Sequence, residues 1–204
     1  MSIQRQKRNR RARRARRFAR LLKFVTILVL VLGIGSLGLW LLFDRHPEVT
    51  VQNYPVEYES LIRTYAAENG LQPAYVASVI LAESSYRPEA VSSVNAQGLM
   101  QILPSTGEWI AGKFDETFAV ENLFDPATNI RYGCWYLRFL MDRYGEDKKC
   151  ASAAYHAGQG NVDRWLQDPA FSPDGTTLAT ISYPATNTYV NRVLANYERY
   201  AKIL

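Results

Sequence analysis

The residue with the clearest capacity for chemistry is Glu83, because of where its spacing places it. The sequence predicts a helix over Pro73–Ser84, opened by a first-turn proline. Glu83 follows three apolar residues at the i, i+3, i+4 and i+7 intervals of one helical face: Val76, Val79 and Ile80. Burial on that face raises the pKa of a carboxyl, and the negative end of the helix dipole acts in the same direction. Spacing alone leaves two alternatives, a protonated general acid or a carboxylate that points to solvent.

Glu83 also begins an ordered series of polar, aromatic and glycine residues. Within residues 82–107 the series consists of Glu83, Ser84, Tyr86, Pro88, Ser92, Gly98, Leu99, Met100, Gln101 and Pro104. Two further blocks follow in order, Ala154, Tyr155, His156, Ala157, Gly158 and then Tyr189, Val190. Together they resemble the lytic transglycosylase family, with its soluble lytic transglycosylase-like catalytic domain related to goose-type lysozyme. The resemblance extends over about residues 56–200.

The resemblance implies a particular reaction. Glu83 is expected to be the sole acid/base and to protonate the glycosidic oxygen between N-acetylmuramic acid and N-acetylglucosamine. It then takes the proton of the muramic acid C6 hydroxyl, which attacks C1 and closes a 1,6-anhydro ring. That hydroxyl replaces the second carboxylate of a two-carboxylate glycosidase. The expected function is a peptidoglycan lytic transglycosylase of cell-wall remodelling, with no metal and no cofactor.

The resemblance also implies a set of substrate-binding residues: Ser92, Gly98, Met100, Gln101, Tyr155, His156 and Tyr189. Ser92 and Gln101 are expected to hydrogen-bond the substrate. Tyr155 is expected to position the Glu83 carboxyl through its hydroxyl, and Tyr189 to do similar work from the far side.

The remaining matched residues and two departures from the family pattern have other expected effects. Met100 is expected to pack beneath the site and Gly98 to permit close backbone approach, while Ser84 is as well explained by a helix end as by a site role. His156 stands where the family block usually has asparagine, which introduces a possible pH dependence. Ala185 stands where many members have a glutamate, so any sugar contact made by that glutamate is missing.

Two other functions compete with the lytic reaction. A hydrolase of the same fold, a lysozyme-like muramidase, would need a second acid, for which Asp125 and Asp163 are the candidates. A catalytically weak wall-binding scaffold is the other, and the intact block around Glu83 argues against it.

The N-terminal part of the sequence has a different character. Residues 1–23 contain eleven Lys or Arg and no acidic residue, and residues 24–43 form an uncharged run of twenty residues. Such a run spans about 30 Å as a helix, the thickness of a bilayer core. A cleaved signal peptide would be shorter and would end in a small-residue site. We therefore predict a basic cytoplasmic tail, a single transmembrane helix, a linker over 44–55 and a catalytic domain over 56–204.

The charge distribution also predicts orientation and partners. The positive-inside rule places the N-terminus in the cytoplasm and the catalytic domain on the outer, cell-wall side of the membrane. Beside a membrane span, the basic tail is expected to contact lipid rather than nucleic acid. The GxGxxG spacing of Gly33, Gly35 and Gly38 falls within this span, so it carries no dinucleotide-binding function. The expected partners are thus peptidoglycan glycan strands and membrane lipid, with protein partners unknown.

Helical periodicity and no sustained alternation predict an all-α, lysozyme-like domain. Predicted helices cover 56–69, 73–84, 97–103, 104–112, 126–144, 149–157, 161–166 and 188–202, with a loop over 168–185. Cys134 falls in the middle of one helix and Cys150 at the start of the next, which separates the sulfurs too far for a disulfide. Two free, mostly buried thiols are expected.

Overall fold

The computed structural model describes residue 54 and residues 56–204, all within the unit Val49–Leu204. The predicted tail, the transmembrane helix and most of the linker lie outside the described residues. Among the described residues, no helix combines the length and the apolar composition that crossing a membrane requires. Seven α-helices are present there: α1 (Glu59–Glu68), α2 (Pro73–Glu83), α3 (Pro104–Lys113), α4 (Pro126–Arg143), α5 (Lys148–Ala157), α6 (Gln159–Leu166) and α7 (Pro184–Tyr200).

The helix α2 is the centre of the domain. Most of its residues are buried, including Val76, Val79 and Ile80, which are fully inaccessible to solvent. The helix α7 packs extensively along α2 and α5, and α1 packs against α2 and α4. A helix that is apolar on all sides gains most when neighbours cover every face, which explains its central position. The prediction of an all-α domain is confirmed for the described residues, which contain only isolated β-bridges.

Helix starts follow the local chemistry of prolines and caps. Proline occupies the first turn of α2, α3, α4 and α7, where its missing N–H costs nothing. The Asp125 carboxylate caps α4 by accepting from the Thr128 N–H at 2.8 Å. The last helix begins at Pro184, one turn before the predicted start at residue 188.

The helix predicted over 97–103 is wrong. The segment is a tight turn closed by antiparallel bridging between Gln97 and Ile102. Gly98 and Gln101 both have left-handed backbone, with φ of +78° and +47°, which a right-handed helix does not accommodate. A short 3₁₀ helix over Val120–Phe124, which periodicity did not indicate, packs beside α4.

The prediction of two free, buried thiols is confirmed for Cys134 and Cys150. Burial raises the pKa of the Cys134 thiol well above its usual range and that of Cys150 to about 12. Both thiols are therefore protonated at physiological pH and act as small apolar groups of the core.

Candidate active site

Glu83 is the last residue of α2, and its side chain is half-buried. Burial raises the pKa of its carboxyl to about 7, and this effect is opposed by the nearby Tyr189 hydroxyl and by the charge of Arg192. Of the two alternatives left open by the spacing, the structure therefore supports the desolvated carboxyl. A carboxyl with a pKa near 7 holds its proton at neutral pH about half of the time, as a general acid requires.

Arg192 is a site residue that the sequence reasoning missed. It lies one turn after Tyr189 on α7, and its guanidinium donates to the Ala82 carbonyl at 2.8 Å. It therefore places a positive charge at the negative end of α2, beside the Glu83 carboxyl. The i, i+3 relation between Tyr189 and Arg192 was the available sequence signal, because residues so spaced share one helical face.

The Arg192→Gln variant is expected to remain active to higher pH than the wild type. Arg192 lowers the pKa of Glu83, so removing its charge raises that pKa further and keeps the acid protonated as the pH increases. The upper limb of the pH–activity profile should shift to higher pH. The shift should be only about 0.3 pH unit, because solvent strongly screens an exposed charge.

Two matched variants test this assignment. Arg192→Lys retains the charge and should keep the profile of the wild type. Arg199→Gln removes a charge of the same helix that lies over the Tyr54 ring, and it should leave the profile unchanged. An unaltered upper limb in Arg192→Gln would show that this charge does not act on the acid.

The turn over 97–101 is held by Asn129, a second residue that the sequence reasoning missed. The Asn129 amide donates to the Gln97 carbonyl at 3.0 Å and to the Leu123 carbonyl at 2.7 Å, and its oxygen accepts from the Met100 N–H at 2.7 Å. A Cβ on Gly98 would lie 2.1 Å from the Leu123 carbonyl oxygen and 2.2 Å from the Asn129 amide nitrogen. Glycine is required at position 98 because Asn129 fills that space.

Met100 and Gly98, both expected among the substrate-binding residues, are buried. The Met100 side chain is fully inaccessible and packs against Gly133 of α4, where a Cβ would lie 2.2 Å from the methionine sulfur. The expectation that Met100 packs beneath the site is confirmed. Both residues therefore build the turn, and the Met100 side chain is not available to a ligand.

The predicted role of the Tyr155 hydroxyl is wrong. The hydroxyl donates to the Met100 carbonyl at 2.7 Å, so its single proton is committed to the turn and not to Glu83. The ring lies near the acid. Burial is the main cause that raises the pKa of Tyr155 well above its usual range, and the charge of Glu83 acts in the same direction. Tyr155 thus fixes the position of the turn beside the acid.

Tyr189 interacts with the acid directly. Tyr189 is buried, and its hydroxyl makes no hydrogen bond within the described part of the chain. It nevertheless lies close enough to the Glu83 carboxyl to lower the pKa of that group. The structure therefore places the Tyr189 hydroxyl near the Glu83 carboxyl.

Ser92 and Gln101 are largely engaged within the loop that follows α2. The Ser92 hydroxyl oxygen accepts from the Ala96 N–H at 3.0 Å, and the Gln101 amide donates to the carbonyls of Ala90 and Gly98 at 3.0 and 2.9 Å. The hydroxyl proton of Ser92 and the carboxamide oxygen of Gln101 are the groups that each residue can still offer to a ligand.

His156 is partly exposed and joins α5 to α7. Its Nδ1 lies 3.1 Å from the Thr186 hydroxyl, and its ring centroid lies 4.6 Å from that of Tyr189. Partial burial, followed by the charge of Arg192, lowers the pKa of His156, so the ring is neutral at neutral pH. Thr186 directly follows Ala185, the position at which many family members are expected to have a glutamate. The contact between His156 and Thr186 therefore lies beside that position.

A groove of about 340 Å³ brings together three of the predicted residues, Gln101, Tyr155 and His156. Its other lining residues are Ile102, Leu103, Thr106, Tyr136, Ala157 and Gly158. A larger cavity of about 670 Å³, lined among others by Arg143 and Thr177, contains none of the predicted site residues. The groove is therefore the candidate substrate site, although it is the smaller of the two.

Neither candidate for a second acid is free to act. The Asp125 carboxylate accepts from both the N–H and the hydroxyl of Thr128. Asp163 is paired with Arg143 at 2.6 Å and accepts from the Tyr144 hydroxyl, and these partners lower its pKa. Residues 56–204 also contain no cluster of three or more His, Cys, Asp or Glu side chains arranged for a metal ion.

A helical domain with a desolvated glutamate at the end of its central helix points to one class of protein. The chain belongs to the transglycosylase SLT domain family, whose pattern matches residues 60–176. The match covers Glu83 and the blocks up to Gly158, whereas α7 lies beyond it.

Individual relatives agree with this assignment. The chain is 33% identical over 152 residues to the soluble lytic murein transglycosylase of Escherichia coli K12, covering 73% of this chain and 23% of that protein. It is 31% identical over 169 residues to membrane-bound lytic murein transglycosylase C of Actinobacillus pleuropneumoniae, covering 72% and 46%. The chain thus spans about a quarter of the length of the first relative and less than half of the second.

Solved structures give the same result for the fold. The 70-kDa soluble lytic transglycosylase of Escherichia coli superposes with a TM-score of 0.68 at 30% identity, covering 75% of this chain and 25% of that one. An inactive mutant of Slt from Pseudomonas aeruginosa superposes with a TM-score of 0.64 at 27% identity, covering 74% and 25%. The prediction of a lytic transglycosylase domain is confirmed.

Proposed function

We propose that the protein is a peptidoglycan lytic transglycosylase in which Glu83 is the sole catalytic acid/base. The observation that carries this proposal is one desolvated carboxyl, with a pKa raised to about 7, between Tyr189 and Arg192. Asp125 and Asp163 are engaged in structural contacts. A reaction that needs one carboxylic acid therefore agrees with the site better than a reaction that needs two.

In the proposed reaction, protonated Glu83 donates its proton to the glycosidic oxygen as the bond from C1 of N-acetylmuramic acid breaks. The N-acetylglucosamine unit leaves with a free hydroxyl. The Glu83 carboxylate then takes the proton of the muramic acid C6 hydroxyl, whose oxygen bonds to C1. The acid returns to its starting state, and the muramic end carries a 1,6-anhydro ring.

The surroundings of Glu83 support both halves of this cycle. Burial favours the neutral acid that the first half needs, while Tyr189 and Arg192 moderate the cost of the carboxylate that the second half needs. An acid poised between its two forms at neutral pH can donate and accept a proton in succession.

The relatives support the same assignment of chemistry and substrate. The Pseudomonas aeruginosa structure is that of an inactive mutant in which glutamate is replaced by glutamine. The Escherichia coli enzyme has been solved in complex with bulgecin A, with a TM-score of 0.67 to this chain. We propose that the groove beside Tyr155 binds the glycan strand of peptidoglycan.

The products distinguish the proposed reaction from hydrolysis. Full-length protein in detergent is incubated with isolated peptidoglycan, and the soluble products are analysed by mass spectrometry. Muropeptides with 1,6-anhydromuramic ends, which are 18 mass units lighter than reducing ends, are expected. If every product carried reducing muramic acid, the protein would be a hydrolase.

We also propose that residues 24–43 anchor the protein in the membrane, with the N-terminus in the cytoplasm and the catalytic domain facing the wall. The uncharged run and the preceding eleven cationic residues support this orientation, and one relative is a membrane-bound enzyme by name. Protease added to intact protoplasts should remove the catalytic domain. Full protection, or a mature protein that begins near residue 44, would contradict the anchor.

A further inference from the structure

A group of four aromatic rings on α3 and α4, the aromatic platform, lies outside the acid's surroundings and comprises Trp109, Trp135, Tyr136 and Phe139. The Trp135 and Phe139 rings are nearly parallel, 8° apart with centroids at 5.9 Å, and Tyr136 lies within 11° of Phe139. Trp109 stands steeply against all three, with centroids at 5.1 to 6.2 Å. The four rings thus hold one another in a fixed arrangement.

Core packing alone does not account for the platform. Trp109 is 39% exposed, whereas Trp165 of α6 is 6% exposed, and the other three platform rings are only partly buried. Leaving so much aromatic surface in water forgoes the free energy of burial. Rigid aromatic side chains that remain exposed together are typical of binding surfaces.

The platform is continuous with the groove. Tyr136 belongs to the platform and also lines the groove, where its ring centroid lies 5.4 Å from that of Tyr155. Thr106 lines the groove and precedes Trp109 by three residues on α3, so both lie on one face of that helix. One helical turn advances about 5 Å, which is similar to the length of one sugar unit.

The chemistry of the platform suits a polysaccharide that carries acidic peptides. A pyranose ring presents axial C–H groups on one face, and such a face packs on an aromatic ring while its hydroxyls stay in water. The Lys113 ammonium lies 5.7 Å from the Trp109 ring centroid, so a cation borders the apolar surface. Peptide stems of peptidoglycan carry carboxylates that this cation would attract.

We propose that the aromatic platform is a distal saccharide subsite, on which glycan units beyond the groove stack against Trp109. The inference rests on the proposed function, because it assigns the same strand to both surfaces. Binding energy from these remote units would hold long strands in the groove for cleavage. The subsite would therefore make the enzyme prefer long strands over short ones.

The test compares two substrate lengths on full-length protein in detergent. Purified peptidoglycan glycans of four sugars and of at least ten sugars are cleaved by the wild type and by Trp109→Ala. With the long glycan, kcat/KM should fall about fivefold to twentyfold in the variant, mainly through KM, as expected for loss of an exposed aromatic anchor. With the short glycan the two proteins should agree within about twofold.

Trp109→Phe is the matched control, because it retains a ring at this position and should recover most of the preference for long glycans. A defect in Trp109→Ala that is equal for both lengths, or no defect at all, would overturn the subsite. The proposed function fails separately, if the wild type forms no 1,6-anhydro ends from either substrate.

Binding without turnover identifies the occupant of the platform. Long glycan added to the Glu83→Gln protein should shift the tryptophan fluorescence, and Trp109→Phe in that background should reduce the shift. A shift that depends on Trp109 but is produced by anionic phospholipid vesicles and not by glycan would make the platform a membrane contact and overturn the proposal. Dissociation of a dimer in Trp109→Ala would equally overturn it in favour of a contact between copies.

Discussion

Glu83→Gln is expected to abolish glycan cleavage and to leave the fold intact. The amide is nearly isosteric with the acid but has no proton to donate. General acid–base assistance is typically worth about 10²–10⁴-fold, and Glu83 is proposed to supply it at both steps. Turnover of peptidoglycan, followed by release of 1,6-anhydro products, should fall at least by that factor.

The same variant has an expected signature in stability. The pKa of Glu83 is near its ordinary value of about 4.5 in the unfolded chain and about 7 in the folded one. A raised folded-state pKa means that wild-type stability falls as the pH rises from the first value to the second. The glutamine lacks this loss, so its free energy of unfolding should equal that of the wild type near pH 4 and exceed it above pH 7 by on the order of 1–3 kcal/mol. Its melting temperature should be correspondingly higher above pH 7.

Glu198→Gln serves as the matched control, because this exposed glutamate lies on α7 away from the acid. It should keep full activity. Activity of Glu83→Gln within about threefold of the wild type would show that another residue is the acid. A collapsed melting temperature would instead make Glu83 a structural residue.

Gly98→Ala is expected to have the largest effect on folding. The alanine backbone must adopt a φ of +78°, and its methyl group would lie little more than 2 Å from the Leu123 carbonyl and the Asn129 amide. Left-handed backbone costs about 1–3 kcal/mol for a residue other than glycine, and overpacking adds about 1–3 kcal/mol. A total of roughly 2–6 kcal/mol is a large part of the stability of an ordinary domain.

Gly70→Ala separates the two contributions. Gly70 has a φ of +61°, but a Cβ there meets nothing within 4 Å. Chemical denaturation of both variants should show a loss of about 1 kcal/mol for Gly70→Ala and a loss several times larger for Gly98→Ala. Equal losses would mean that the turn tolerates a side chain and that Asn129 does not fix it.

Local patterns in the sequence predicted most elements of the fold and singled out Glu83 as the candidate acid. The apolar spacing before Glu83 predicted the central helix, and first-turn prolines located several helix starts. Spacing alone left open whether the Glu83 carboxyl is buried or points to solvent. The turn over 97–101 was missed because its conformation depends on Asn129, which lies about thirty residues further along the chain. Helical periodicity contains no information about such distant hydrogen bonds.

The partners of polar side chains were the least predictable part of the site. Tyr155 was expected to contact Glu83, but its hydroxyl donates to the Met100 carbonyl of the turn at 2.7 Å. Arg192 was overlooked because its partner is the backbone of Ala82, and no side-chain pattern reports a carbonyl left free at a helix end. Both interactions depend on the packing of separate helices, which is decided only in the folded domain.

The buried, protonated state of Cys134 and Cys150 bears on how the domain can mature. No covalent cross-link joins these thiols, so the described domain needs neither an oxidant nor a disulfide isomerase to reach its fold. Thiolates are the species that react with peroxides and disulfides, and both thiols here are held in the unreactive form. The domain should therefore fold equally well in a reducing cytosol and in an oxidising extracytoplasmic space, and it should keep its activity as the redox potential of its surroundings changes.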